Sequence, residues 1–235
     1  MIKGLKSFKE WFHGYEANYA IIGGTACDLL MGEAGIEFRA TKDIDMVLIV
    51  EALNNDFSSH FWEYIKMAGY EHRFKSTGKP EFYRFTSPKS SEYPIMIELF
   101  SRRTDGITLS QNAVLTPLPV DDDISSLSAI LLDSAYYDFL LNGVTIIDSI
   151  PILDAMHLIP FKAKAWLDLN QRKSNGEQVD SKNIRKHKND IIRLSALLSP
   201  SSRLNLPEII KNDMKNFLFR IDEPEKYTRI AEVYF

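Results

Sequence analysis

Asp43 and Asp45 stand one residue apart in Asp43-Ile44-Asp45-Met46-Val47-Leu48-Ile49-Val50, whose β-branched and apolar residues predict a central strand. On a strand the two carboxylates leave one face while Ile44 and Met46 point to the other. Like charges about 4 Å apart repel by roughly 4 kcal/mol at an effective dielectric of 20, so a half-buried pair needs a shared proton or a cation. Magnesium, which takes one or two carboxylates and completes its shell with water and phosphate, suits such a pair. The alternative is a strand edge that leaves both aspartates in solvent. Glu98 is a third carboxylate, set in the otherwise apolar Ile95-Met96-Ile97-Glu98-Leu99-Phe100, where an uncompensated charge is costly. Its alternative is a strand-end ion pair with Arg102 or Arg103. Gly23-Gly24 falls between an apolar run, Tyr19-Ala20-Ile21-Ile22, and a helical pattern at 25–31 for which Thr25 is the expected cap. Backbone N–H groups at such a turn suit phosphate oxygens. The third glycine of a dinucleotide fingerprint and the Gly-Lys-Ser/Thr of a P-loop are both missing.

The elements that must carry these residues follow from periodicity. Phe8, Trp11, Phe12 and Tyr15 predict one apolar face of a short helix at 7–16, and Phe57, Phe61 and Ile65 mark an amphipathic helix at 54–68. Strands are expected at 19–22, 43–50, 81–86 and 94–100, the last two joined as a hairpin through Ser87-Pro88-Lys89-Ser90-Ser91. Two prolines and Asp121-Asp122-Asp123 mark a boundary before a helix at 125–141, and those three acids suit a helix N-terminus better than a metal. A strand at 144–147 and helices at 155–168, 182–198 and 208–219 follow, with a polar loop at 170–181. The expected fold class is α+β, strands and helices in a domain spanning 1–123 and a mainly helical domain spanning 124–235.

Composition bounds the rest. The 235 residues are 45% hydrophobic and 11% aromatic, enough for a sizeable core and too apolar for disorder. One cysteine, Cys27, excludes an internal disulfide, and neither a long apolar leader nor an 18-residue apolar run is present, so a soluble protein of the reducing cytoplasm, with no membrane partner, is expected. His13, His60, His72, His157 and His187 lack zinc spacing, and 43–54 lacks the glycine and glutamate of a calcium loop. With 28 Lys and Arg against 32 Asp and Glu, the net charge of -4 excludes a strongly basic nucleic-acid coat. The charge is unevenly spread. Between 161 and 193 there are nine basic and four acidic residues, a local +5 that leaves -9 for the remainder.

Ile22-Gly23-Gly24-Thr25-Ala26, then Arg39-Ala40-Thr41-Lys42-Asp43-Ile44-Asp45, then Glu98 on a later strand resembles the nucleotidyltransferase superfamily of polymerase-β-like fold. More narrowly, it is similar to the AbiEii-type toxin branch that includes the MenT-like enzymes. Phe161-Lys162-Ala163-Lys164-Ala165 and Lys188-Asn189-Asp190-Ile191-Ile192 stand in the order of that branch's C-terminal motifs. The resemblance implies a mixed sheet with flanking helices in the first domain, spans most of 19–198, and departs at the eighteen residues that separate Gly24 from Asp43 and at the long linker before Asp190. It implies an NTP substrate and two Mg2+ ions on Asp43, Asp45 and Glu98, with Glu98 serving as metal ligand or general base. It further implies phosphate contacts from Gly23, Gly24 and Thr25, a lysine on the triphosphate that is Lys162 or Lys164, and Asp190 orienting that lysine or touching the nucleotide. A tRNA 3′ end or a protein hydroxyl is the implied acceptor, and an antitoxin the implied partner. The alternatives are an aminoglycoside-type small-molecule nucleotidyltransferase and a catalytically silent nucleotide-binding module.

Overall fold

Residues 2–71, 84–101, 108–110, 113–114, 130–131, 133–222 and 224–235 are described by the computed structural model. The chain divides into two units: Met1–Glu33, Glu37–Asp122 and Val144–Leu153 form one, and Ala34–Ile36, Asp123–Gly143 and Asp154–Phe235 the other. In the first unit α1 (Leu5–Trp11), β1 (Tyr19–Ile22), α2 (Gly23–Glu33), β2 (Asp43–Leu48) and α3 (Asn55–Ala68) precede β3 (Arg84–Thr86) and β4 (Met96–Ser101). A two-stranded piece follows, β5 (Thr108–Ser110) with β6 (Ala113–Val114). The chain then contributes α4 (Ser134–Asn142) to the second unit before β7 (Val144–Ile147) and β8 (Ile150–Leu153) rejoin the first. The second unit continues as α5 (Ala155–Ser174), α6 (Ser181–Ser195), α7 (Glu208–Arg220) and α8 (Thr228–Tyr234).

Six strands form a mixed sheet in the order β3-β4-β2-β1-β8-β7. β2 runs parallel to β4 and β1 parallel to β8, while the other pairs are antiparallel. The α+β class with a mixed sheet, flanking helices and a helical C-terminal part is therefore as expected. One sheet face carries Tyr19, Ile44, Met46, Leu48, Phe85 and Ile97, all fully or almost fully buried. Aromatic residues of α1 and α3 cover that face. Phe12 meets Tyr19, Phe57, Phe61 and Tyr64 with ring centroids 5.3 to 6.2 Å apart, and Phe61 stands edge-on to Phe85 at 5.6 Å. Asn54 caps α3 by accepting from the Phe57 N–H, and Gly69 closes it in the left-handed conformation.

Several elements depart from expectation. β7 was expected inside the helical domain but pairs with β8, which periodicity does not predict because Pro151 reads as a strand breaker. The two join through Asp148 and Ser149 at φ 49 and 62, the left-handed pair of a two-residue hairpin. α5 continues to Ser174, past the expected end at 168, with Asn170 and Ser174 donating to the carbonyls one turn back. α8 is likewise unpredicted. Thr25 is not a cap, since α2 already begins at Gly23. Residues 81–83, the boundary at 117–123 with its three aspartates, 125–129, His72, Arg102 and Arg103 lie outside the described residues. Among the described residues, no helix is long and apolar enough to cross a membrane.

Because Phe12 is fully buried at the centre of these rings, Phe12→Ala is expected to cost about 3 to 5 kcal/mol. A thermal melt should show the midpoint falling by on the order of 10 °C.

Candidate active site

The pairing of strands places the acidic residues. Ile22 of β1 is the register partner of Asp45, Asp45 is the partner of Glu98, and Glu98 is the partner of Arg84 on β3. Register partners share a face, so one row across four strands reads Ile22, Asp45, Glu98, Arg84. Neighbouring strands are about 4.8 Å apart, and Asp43 joins the same face from two positions along β2. Asp43, Asp45 and Glu98 are all half-buried, whereas Ile44 and Ile97 between and beside them are wholly covered on the opposite face.

The first turn of α2 presses on this row. Gly23 has φ 70, and a Cβ there would lie 1.7 Å from the Asp45 Oδ2, so only glycine lets the chain leave β1 beside that carboxylate. A Cβ on Gly24 would lie 2.8 Å from the Thr41 Oγ1 and 3.4 Å from a terminal nitrogen of Arg39. The stretch before β2 therefore folds back over the glycine pair. Thr25, fully buried, donates its hydroxyl proton to the Asp43 carbonyl at 2.6 Å, tying α2 to the start of β2. Arg39 also stands over the Phe38 ring at 5.1 Å, which steadies its guanidinium near the positive end of α2. Cations and N–H groups collected there suit an anion.

Glu98 accepts from the Arg84 Nε at 2.7 Å, with only 14% of the glutamate side chain and 26% of the arginine side chain exposed. Its partner here is Arg84 across the sheet, while Arg102 and Arg103, the partners considered from sequence, lie outside the described residues. Among the described residues no group of three His, Cys, Asp or Glu side chains is disposed to hold a metal ion. The three carboxylates supply oxygen donors, the type that Mg2+ takes, from two adjacent strands. Sequence patterns do not single out Arg84 as a site residue. Its signal lies in the hairpin, which sets it opposite Glu98.

In the second unit, Lys162 of α5 donates to the Asp190 Oδ2 of α6 at 2.9 Å, and their side chains are 4% and 0% exposed. Lys164 faces a different partner set, 3.6 Å from Asp168 and 3.3 Å from Asp213. Tyr136 of α4 donates to the other side of this cluster, at the Asp213 Oδ2. Desolvation raises the Asp168 carboxyl pKa from its ordinary value despite Lys164 beside it. The two lysines are therefore distinct: the pair in contact is Lys162 with Asp190. The exposed side of α6 carries Lys182, Arg185, Lys186 and Arg193.

No family model matches the chain, and no curated protein matches it in sequence. Among solved structures it is similar to the antibiotic-resistance factor ANT(2'')-Ia in solution, at 12% identity and a TM-score of 0.36, over 92% of this chain and 93% of that one. An overlap of that quality carries no residue roles across.

Two comparisons test these placements. Gly23→Ala should lose roughly 1 to 3 kcal/mol from its backbone conformation and more from displacing Asp45. Gly14→Ala, at φ 88 with nothing within 4 Å of its Cβ, should show the backbone cost alone. Equal melting shifts would contradict the close approach of Asp45.

Asp190→Asn removes charge beside a buried ammonium and should destabilise by about 3 to 5 kcal/mol. Asp168→Asn should do the reverse at neutral pH. A raised carboxyl pKa means the ionised form is penalised in the folded state, a penalty present above the folded pKa and absent below the unfolded one. The gain in melting temperature should therefore fade as pH falls into the ordinary carboxylate range.

Proposed function

We propose that this chain is a magnesium-dependent nucleotidyltransferase of the AbiEii-like kind, moving a nucleoside monophosphate from an NTP to the hydroxyl of an acceptor such as a tRNA 3′ end or a protein side chain. The observation that carries the reading is the row itself. Asp45 and Glu98 are register partners on parallel strands, Asp43 shares their face, and the glycine turn opening α2 abuts Asp45. The adjacency of a glycine turn to the carboxylate face supports a reading in which the turn takes phosphate and the carboxylates serve attack on an α-phosphorus.

Magnesium held by Asp43, Asp45 and Glu98 would supply charge neutralisation on the triphosphate and a more acidic acceptor hydroxyl. The protein's own groups do the orienting. The N–H groups of Gly23, Gly24 and Thr25 and the guanidinium of Arg39 are the donors for phosphate oxygens. The Thr25 hydroxyl proton is committed to Asp43, so its part in that contact is through the backbone. Lys162, with Asp190 holding its ammonium, and Lys164 are assigned to the nucleotide on the strength of the AbiEii-like motif order. The 2.9 Å contact between Lys162 and Asp190 supports the orienting role for the aspartate.

The test incubates the protein with each α-labelled NTP, Mg2+ and total RNA, with a parallel arm offering an aminoglycoside. Label should pass to RNA or protein, and Asp45→Asn should reduce the rate by about a hundredfold or more. Label passing to the aminoglycoside alone would favour the small-molecule alternative. No transfer to any acceptor would leave a nucleotide-binding module. Binding can be checked apart from turnover, because nucleotide at 100 times its Kd adds about 2.7 kcal/mol, or on the order of 5 to 10 °C.

A further inference from the structure

The six-stranded sheet ends differently at its two edges. Beyond β3, Glu71 exchanges two backbone hydrogen bonds with Thr86, at 2.8 and 3.0 Å, so that edge is already paired. β7 forms the other edge, and among the described residues its ladder partner is β8 alone. The hydrogen bonds of this hairpin can be placed residue by residue. The Asp154 N–H donates to the Gly143 carbonyl at 2.9 Å, and bonded pairs recur at every second residue, so Thr145 with Ile152 and Ile147 with Ile150 are bonded too. Pro151, which has no N–H, falls opposite Ile146 in a pair that needs none. Val144 and Ile146 therefore aim their N–H and C=O groups away from β8, at the open edge. Apart from its shortness, this edge carries none of the devices that keep strands from joining. Val144, Thr145, Ile146 and Ile147 include no charge, no proline and no bulge, and Ile146 is 61% exposed.

We propose that β7 pairs with β7 of a second copy of this chain, in an antiparallel register centred on Thr145, joining two sheets into one across a twofold axis. A sheet edge is complementary to itself under such a rotation, because donors and acceptors alternate along it. With Thr145 opposite the partner's Thr145, Val144 of each strand lies opposite the partner's Ile146, and each of those pairs exchanges two backbone bonds. Centring on Val144 or on Ile146 instead would leave one open residue of each strand facing a residue outside β7. In the proposed register Ile146 and the partner's Val144 share a face, which covers the exposed isoleucine, and the two threonines meet on the other. No charges are brought opposite one another within the strands. The contact is smaller than the about 1,200 Å2 of a standard stable interface, so the dimer is a reversible one. Asp43, Asp45 and Glu98 take no part in it, and the pairing stands apart from the nucleotidyltransferase reading.

Sedimentation equilibrium of the full chain, from low to high micromolar protein, measures the association. The mass should rise toward twice that of one chain in the wild type and stay at that of one chain in Ile146→Lys. That variant should melt with the wild type, because the side chain it replaces is mostly in solvent. The register is read by mild oxidation of Thr145→Cys and Ile146→Cys, with the buried Cys27 common to both. Facing residues of an unbonded pair have Cα atoms about 4.5 Å apart, inside the roughly 4.4 to 6.8 Å span of a disulfide. The two Ile146 positions would stand about 8 Å apart, from a 3.4 Å rise per residue and a 4.8 Å strand spacing, which is out of reach. Thr145→Cys should therefore give covalent dimer about tenfold faster or more. A wild-type mass that does not rise, a rise that Ile146→Lys leaves intact, or a disulfide that forms no faster at 145 than at 146 would each overturn the proposal.

Discussion

The step from Ile22 to Gly23 is the constraint on which the acidic site depends. Ile22 is the last residue of β1 and shares a row with Asp45. The next residue turns the chain at φ 70 into α2, with no room for a side chain between helix and carboxylate. Everything else at the site is referred to that contact. Thr25 ties the helix to the start of β2, and Arg39 and Thr41 close over Gly24. The register of β2 on β4 then fixes which residue of the apolar strand 96–101 meets Asp45. A slip of one residue would put Glu98 on the face packed by α1 and α3 and bring Ile97 or Leu99 into the row.

Much of this was legible in the residues, and the illegible part has a physical cause. Tyr19–Ile22, the start of β2 at Asp43, and α3 from its Asn54 cap to Gly69 announce themselves by local chemistry: alternation, a cap and a glycine stop. Local chemistry also shows that Asp43 and Asp45 share a face. It does not show what lies beside them, because register between strands distant in sequence is set by packing across the sheet. That is why the sequence offers Arg102 or Arg103 as an ion-pair partner for Glu98, while Arg84, its register partner, goes unremarked. β8 was hidden for a related reason. Pro151 removes a donor and lowers strand propensity, yet Ile150, Ile152 and Leu153 are fully buried beside β1 and β7, and that burial prevails.

The charge distribution acquires a structural meaning. The acidic excess outside 161–193 includes a sheet face that carries three carboxylates, one of them paired with Arg84. The basic excess within 161–193 divides into two kinds. Lys162 is sealed against Asp190, whereas Lys182, Arg185 and Lys186 on α6 are open to solvent. Only the second kind contributes to a long-range field. A count of lysines therefore overstates the positive surface by those already spent inside the helical unit.

The two principal ion pairs differ in what they permit. Lys162 with Asp190 is almost wholly removed from water, so separating its members would strand charge in a poorly solvated interior. Arg84 with Glu98 lies at the edge of the sheet and is less completely enclosed, with 26% and 14% of the side chains exposed. A joint of the first kind holds geometry. One of the second kind offsets the charge of a carboxylate that the sheet register places beside Asp45.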